Sequence, residues 1–310
     1  RIRREAEHRQ AEALLEAKLQ FFTNISHEIR TPLTLVINPL QKLLASCPDP
    51  ALRAEYAMIY RNAERILRLV NPIMDIRKIE KGQMAMHMSA TDMGEFVDNA
   101  IQPFEYLARE NDIAFTLHRP EEPVEGYIDV NHFDKVLVNL LSNAFKYTPA
   151  GGSIDVSVER GDDPSAPAPL NHYIEIRVSD TGTGIDPDKL EQIFERFYSA
   201  ERDLAGAASG TGVGLHLSRS LVDLHHGTIK AQNRPDGGGS VFVIRIPAGS
   251  AHLSAEELAP ATETRAVIPQ HDRLPELPPI TALPVADANG TNRIAVVLQN
   301  LTSALTFLKK

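Results

Sequence analysis

The stretch Phe21-Phe22-Thr23-Asn24-Ile25-Ser26-His27-Glu28-Ile29-Arg30-Thr31-Pro32-Leu33 sets an imidazole beside a carboxylate on a helical pattern. At about 100° of rotation per residue, Phe22, Ile25, Ile29 and Leu33 form one apolar arc, and His27 points away from it. A water-facing ring nitrogen with Glu28 beside it as proton acceptor suits transfer of a group onto the ring. Pro32 offers no N–H to the carbonyl of Glu28, which predicts a bend or a loosened turn just after the histidine. A solvent-facing histidine taken alone is most often an ordinary surface residue. Its meaning here depends on the residues C-terminal to it.

Four further runs carry chemistry. Asn139, Asn143 and Lys146 fall at i, i+4 and i+7 on one face of a predicted helix, with Val136, Leu137, Leu140, Leu141 and Ala144 on the buried side. Two amides and an ammonium suit a hydrated magnesium and the phosphates it bridges; the other reading is a solvated polar face. Ile174 to Val178 alternates as a strand and runs into Asp180-Thr181-Gly182-Thr183-Gly184. A carboxylate there can accept a hydrogen bond from an exocyclic amine, and glycines let a ligand approach the backbone, although many turns look alike. Phe194 and Phe197 come after a helical run predicted from Asp186 and read as a core pair. Arg196 between them either reaches phosphate or stays at the surface. Gly210-Thr211-Gly212-Val213-Gly214-Leu215 opens a helical pattern that continues to His225. Free amides and the positive helix end suit a phosphate cradle, although a lone G-x-G-x-G is ambiguous. The small-residue stretch from Ala205 to Ser209 has little to bury, and it is predicted to be mobile without nucleotide. The chain holds no G-x-x-x-x-G-K-[ST], which excludes a P-loop.

Taken in order, these runs resemble the sensor histidine kinases. Phe21, Ser26, His27, Glu28, Thr31, Pro32 and Leu33 match the phospho-acceptor box. Asn139 to Pro149 resembles the N box of the histidine kinase and Hsp90-like (GHKL) ATPases. Asp180 to Gly184 resembles the G1 box, Phe194 to Phe197 the F box, and Gly210 to Leu215 the G2 box. The resemblance implies ATP and Mg²⁺ as cofactors, with Asn143 and Asn139 as metal ligands and Lys146 near phosphate. It also implies Tyr147 against the adenine, and Asp180 reading the adenine amine, with Gly182 and Gly184 beside it. Phe194 would anchor one side of an ATP lid, and Gly210, Thr211, Gly212, Gly214 and Leu215 would cradle phosphate. Thr31 lies one turn past His27, at a position that in related kinases helps remove phosphate from the regulator.

The elements that must position these groups fall in sequence order. Residues 1–20 are charged and rich in Ala and Leu, and read as a coiled-coil connector. Residues 21–83 form a dimerisation and phosphotransfer domain, with a second helix from about Ala51 to Glu80. Cys47-Pro48-Asp49-Pro50 separates the two helices, Pro72 is expected to bend the second, and Lys81-Gly82 ends it. Two long amphipathic helices bury their stripes poorly alone, so an antiparallel hairpin pairing with a second copy into a four-helix bundle is expected. Residues 86–249 read as a catalytic ATP-binding α/β sandwich. It begins with a helix from Thr91-Asp92 toward Asn111. Strands are predicted at Ile113–His118, Ser153–Glu159, Tyr173–Val178, Thr228–Gln232 and Val241–Ile246, in a mixed sheet with helices on one face. The fold class is therefore α plus α/β.

Residues 250–292, rich in Pro, Ala and Thr, read as a disordered linker. Residues 293–310 look either like the first strand and helix of a truncated receiver domain or like an unrelated amphipathic tail. In a receiver an acidic pair would stand where Leu298 and Gln299 are, so its metal site would be absent.

A net charge of −9 argues against direct nucleic-acid binding, and the single Cys47 precludes an internal disulfide. No run approaches the length of an apolar membrane span. A chain starting at Arg1 reads as a fragment: the cytoplasmic portion of an inner-membrane bacterial sensor, a homodimer partnered by a response-regulator receiver domain. The expected chemistry is phosphorylation of His27 from ATP, then transfer to a receiver aspartate, with reverse phosphatase activity. Two readings compete with it. One is a conformational scaffold that has lost catalysis; the other is a GHKL machine that hydrolyses ATP to drive a clamp.

Overall fold

The computed structural model describes residues 29–198 and 212–259, all within one of the two units into which the chain divides, Arg1–Leu274. His27, Glu28, Gly210 and Thr211 lie outside the described residues. So do the predicted connector, the Ala205–Ser209 stretch, most of the predicted linker and the tail.

Helix α1 (residues 29–46) runs unbroken through Pro32 within its described part. Helix α2 is Pro50–Glu80. Asp49 caps it, accepting from the amides of Ala51 and Leu52, and Pro50 opens it where a missing N–H costs nothing. The helix continues past Pro72. The two helices meet antiparallel: Arg30 Nη2 donates to Asn71 Oδ1 at 2.8 Å, and Gln41 Nε2 to Tyr60 Oη at 2.9 Å. Gly82, at φ +62°, closes α2.

The α/β part contains β1 (Ser89–Asp92), α3 (Met93–Glu110), β2 (Ala114–His118), β3 (Glu125–Ile128), α4 (Val130–Tyr147), β4 (Ser153–Asp162) and β5 (His172–Asp180). It ends with α5 (Gly214–Leu224), β6 (Thr228–Asn233) and β7 (Ser240–Pro247). The main sheet has the order β2-β4-β5-β7-β6. Only β2 and β4 run parallel. The apolar faces of α3, α4 and α5 meet the inward residues of this sheet: Leu140, Ile154, Ile174, Ile176 and Ile244 are fully buried. The mixed sheet with helices on one face is as the alternation predicted.

Three features depart from the sequence reading. The first residues of the expected disordered linker, 250–259, are ordered: the Met88 amide donates to the Glu257 carbonyl at 2.7 Å, the Ala259 amide donates to the Met88 carbonyl at 2.8 Å, and Glu257 pairs with His226, because this segment supplies a backbone edge beside β1 that composition does not reveal. Strands β1 and β3 pair with each other in a small second sheet that no periodicity announced. Four residues are too few to display alternation. The helical run expected from Asp186 is only two 3₁₀ turns, Pro187–Lys189 and Gln192–Phe194. The Asp186 carboxylate caps the first at the amide of Asp188, and Glu195 is already extended, so the turn stops.

A buried polar hub ties the start of α4 to the end of α5. Asp129, 3% exposed, caps α4 at the amide of His132 and accepts from the amide of His87. His225, 1% exposed, accepts from the amide of Asp129 through Nε2 at 3.1 Å and donates from Nδ1 to the Leu221 carbonyl at 2.7 Å. Burial pushes the His225 imidazole down to about 4. Burial would raise Asp129, but His132 and the amide bonds more than offset it and hold the carboxyl at about 2.

These two shifts set the sign of the pH effect. Below the ordinary histidine range the unfolded chain takes up a proton at His225 and the folded chain does not, so stability falls as pH drops. The Asp129 contribution persists until the pH is far lower. Between about pH 6.5 and 4.5 the loss should reach roughly 2 kcal/mol. Urea unfolding at the two ends of that range checks it, and a His225→Gln chain should show a smaller change.

Candidate functional site

Helix α4 carries Asn139, Asn143 and Lys146 on a polar side next to its buried row of Val136, Leu137, Leu140, Leu141 and Ala144. That polar side forms one wall of a cavity of about 320 Å³. The strand end at Asp180, the turn from Thr183 to Asp186, Lys189, Ile193 and Tyr198 of the 3₁₀ segment, Gly212 and the start of α5 at Gly214 and Leu215, and Ser240 and Phe242 of β7 also line it. Asn139, Asn143, Lys146, Tyr147, Asp180, Gly184, Gly212, Gly214 and Leu215 thus border one cavity.

Asp180 is 2% exposed at the C-terminal end of β5. Its Oδ1 accepts from the amides of Gly182 at 2.8 Å and Ser240 at 3.3 Å, and its Oδ2 accepts from Ser240 Oγ at 2.6 Å. The carboxylate is held rigidly and still borders the cavity, as an acceptor for a bound amine must be. Asn233 clamps the following turn: its Oδ1 accepts from the Ile185 amide at 2.8 Å and its Nδ2 donates to the Ile185 carbonyl at 2.5 Å.

At the other end, Asn139 Nδ2 donates to Ser218 Oγ at 2.9 Å. That leaves Oδ1 directed at the start of α5, where a Cβ on Gly214 would lie 2.4 Å from it. Val213, at the N-cap, has no side chain able to cap the helix, and among the described residues no side chain takes the first amides of α5, an arrangement suited to an anion. Lys146 Nζ contacts the Tyr147 hydroxyl at 3.1 Å at the rim.

Four predicted residues sit elsewhere. Gly182 stands behind the cavity; a Cβ there would meet the Tyr147 carbonyl oxygen at 2.4 Å, so it locks the turn onto the end of α4. Phe194, 2% exposed, meets Phe242 edge-on at 6.3 Å and lies under the Arg219 guanidinium. It supports the wall from outside. Arg196 turns to His216 and to Glu80 of α2. Thr31 is exposed on α1, away from the described cavity lining.

Sequence reasoning missed Ser240, Gly239 and Asn233. The run Gly237-Gly238-Gly239-Ser240 before a strand was the available signal. Gly239 has φ +98°, and a Cβ there would lie 1.8 Å from the Asp180 carbonyl oxygen. A Gly239→Ala chain should lose about 2–4 kcal/mol of stability from strain and overlap together. Thermal unfolding measures this, and nucleotide affinity should fall with it because Asp180 is displaced.

A buried acceptor at one end of a cleft and an amide-bearing helix with an open helix N-terminus at the other define a nucleotide-binding ATPase site. Residues 128–250 match the family described as histidine kinase-, DNA gyrase B- and HSP90-like ATPase, and residues 17–82 match the His Kinase A (phospho-acceptor) domain. The chain belongs to the sensor histidine kinases.

It is 39% identical over 234 residues to hybrid signal transduction histidine kinase D of Dictyostelium discoideum, covering 75% of this chain and 15% of that one. It is 31% identical over 243 residues to the autoinducer 2 sensor kinase/phosphatase LuxQ of Vibrio harveyi, covering 77% and 27%. The chain therefore spans well under a third of these relatives' lengths. The crystal structure of full-length ShkA in complex with AMPPNP shares the fold, with a TM-score of 0.58 at 23% identity over 75% of this chain and 46% of that one. Among the described residues no helix is long and apolar enough to cross a membrane.

Proposed function

We propose that this chain is the kinase core of a two-component sensor: it binds ATP·Mg²⁺ in the α/β cavity and transfers the γ-phosphoryl group to His27. The observation that carries the reading is the cavity itself, with Asp180 held as an acceptor at one end and Asn139, Asn143 and the open start of α5 at the other. Asp180 would take the adenine amine and Tyr147 would lie against the ring. The amides of Gly212 to Leu215 would take phosphate oxygens. Asn139 Oδ1, with its amide nitrogen already committed to Ser218, and the Asn143 amide fit the oxygen donors that a magnesium ion prefers. Magnesium would supply charge neutralisation between the phosphates.

In the transfer, a ring nitrogen of His27 attacks the γ-phosphorus, the bond to the β-phosphate oxygen breaks, and ADP leaves. Glu28 takes the ring proton or orients the ring. The phosphoryl group then passes to an aspartate of a receiver domain. Thr31 supports the reverse reaction, water attacking the receiver's phosphate.

Leu35, Val36 and Leu43 on α1 and Leu52, Met58, Ile59 and Leu69 on α2 are exposed in a single copy. Apolar side chains along both helices favour pairing with a second hairpin into a four-helix bundle. The whole protein would be a membrane-anchored bacterial sensor whose cytoplasmic part is this core. The domain limits 1–20, 21–83 and 86–249 belong to the same reading, with residues 250–259 added to the α/β part they pack on and the linker and tail following.

Incubation with γ-labelled ATP and magnesium tests it. An acid-labile, base-stable label on the chain is the expected result. ATP turnover without any label would favour the clamp-type ATPase instead.

A further inference from the structure

Arg196 points away from the nucleotide cavity. Its Nε donates to His216 Nε2 at 2.8 Å, and its Nη1 forms an ion pair with Glu80, the last residue of α2. Glu80 also pairs with Arg77 at 3.3 Å. His216 stands in the first turn of α5, with Nδ1 3.0 Å from the Phe194 carbonyl oxygen. These two partners fix the tautomer: Nδ1 carries the proton for the carbonyl, and Nε2 keeps its lone pair for the guanidinium. Ile73 and Ile76 of α2 face Phe197 and Val213 beside this chain of contacts.

We propose that neutral His216 is a positioning residue that couples the end of helix α2, through Glu80 and Arg196, to the α5 wall of the nucleotide cavity. The inference rests on the nucleotide reading of that cavity. Gly214 and Leu215, which line it, directly precede His216, and Ile193, also in the lining, precedes Phe194. The ring therefore joins the F-box turn to the start of α5. Arg196 joins both to α2, whose residue Asn71 already holds Arg30, three residues after His27 in sequence. A shift at the end of α2 reaches the nucleotide wall within one helical turn.

The joint depends on protonation. A second proton on His216 would remove the only acceptor it offers Arg196 and set an N–H against a cation. The groups facing the ring are the Arg196 and Arg219 cations, the Glu80 carboxylate and the Phe194 carbonyl, with Glu191 holding Arg219 at 3.1 Å. Burial, then the two arginines, keep the ring below the usual histidine range against the pull of the carbonyl and Glu80.

The test is a double-mutant cycle on the full chain. It reads affinity for a fluorescent, non-hydrolysable ATP analogue, with thermal unfolding to verify folding. Glu80→Gln should weaken analogue binding about threefold to tenfold in the unaltered chain and leave it unchanged in a His216→Ala chain. His216→Gln keeps one N–H and one carbonyl oxygen but does not titrate. It should retain the coupling throughout an acid titration from about pH 7.5, whereas the unaltered chain loses it as the ring takes up its second proton, at a pH below the usual histidine range. If His216→Ala does not fold, this pH arm decides alone. Equal effects of Glu80→Gln in both backgrounds, or the same pH dependence of the coupling in the unaltered and His216→Gln chains, overturn the inference. An unaltered chain that binds no analogue overturns the nucleotide reading, and the coupling falls with it.

Discussion

A His27→Ala chain should take up no label from γ-labelled ATP and still bind nucleotide within about twofold of the unaltered chain. The cavity is lined from α4, β5, the turn and 3₁₀ segment after it, α5 and β7, with no contribution from the described residues of the helical hairpin. Removing the imidazole therefore removes the acceptor and leaves the donor site whole. The loss should be complete, because a neighbouring carboxylate or hydroxyl does not replace a ring nitrogen as nucleophile at neutral pH. A filter assay at saturating ATP, with analogue binding measured on the same sample, separates the two steps. Label that persists in His27→Ala, or label that resists acid, would place the acceptor elsewhere and sink the kinase reading. Loss of both label and binding would mean that the substitution had damaged more than the acceptor.

Asp180→Asn should fold and yet lose most of its nucleotide affinity. Oδ1 accepts the amides of Gly182 and Ser240, and an asparagine oxygen can keep both. Oδ2 accepts from Ser240 Oγ, a hydroxyl that can rotate to accept from an amide nitrogen instead. The cost to the fold is then small. The cost to recognition is not, because the group bordering the cavity becomes a donor facing another donor on adenine. A lost charge-assisted hydrogen bond with an unpaired donor left behind amounts to roughly 2–3 kcal/mol, or about 30-fold to 150-fold in affinity. Isothermal titration with ATP reads this directly. An Asp180→Asn chain that binds ATP as tightly as the unaltered one would show that the carboxylate is only a structural tie for β7. Ser240→Ala should then produce the larger effect on stability.

The contrast between these two residues shows what was legible. His27 lies in a contiguous run whose neighbours, Glu28 to Leu33, carry the signal by themselves, and the helical period told which way each side chain turns. Asn139, Asn143 and Lys146 were equally readable, since one helix fixes their common face without help from the rest of the chain. Asp180 was found from the strand that delivers it, but its holder was not. Ser240 is 60 residues away, brought alongside by the pairing of β5 with β7. Contacts between distant segments leave no period in either one.

Arg196 shows the limit most plainly. Its position between two aromatic residues left phosphate and surface open as destinations, and the structure gives it neither. It lies between His216, 20 residues on, and Glu80 on another helix. The same reason applies to β1 and β3, which exist because each offers the other a backbone edge.

The sequence by itself determined the groups available: an imidazole beside a carboxylate, an amide-bearing helix, a carboxylate at a strand end and a glycine-rich helix start. All of these are properties of short contiguous segments, set by local geometry. The tertiary structure decided which of those groups share one cavity, what holds Asp180 in place and where the charge of Arg196 is used. Those outcomes depend on packing between segments that are far apart in the chain, and no local period encodes that.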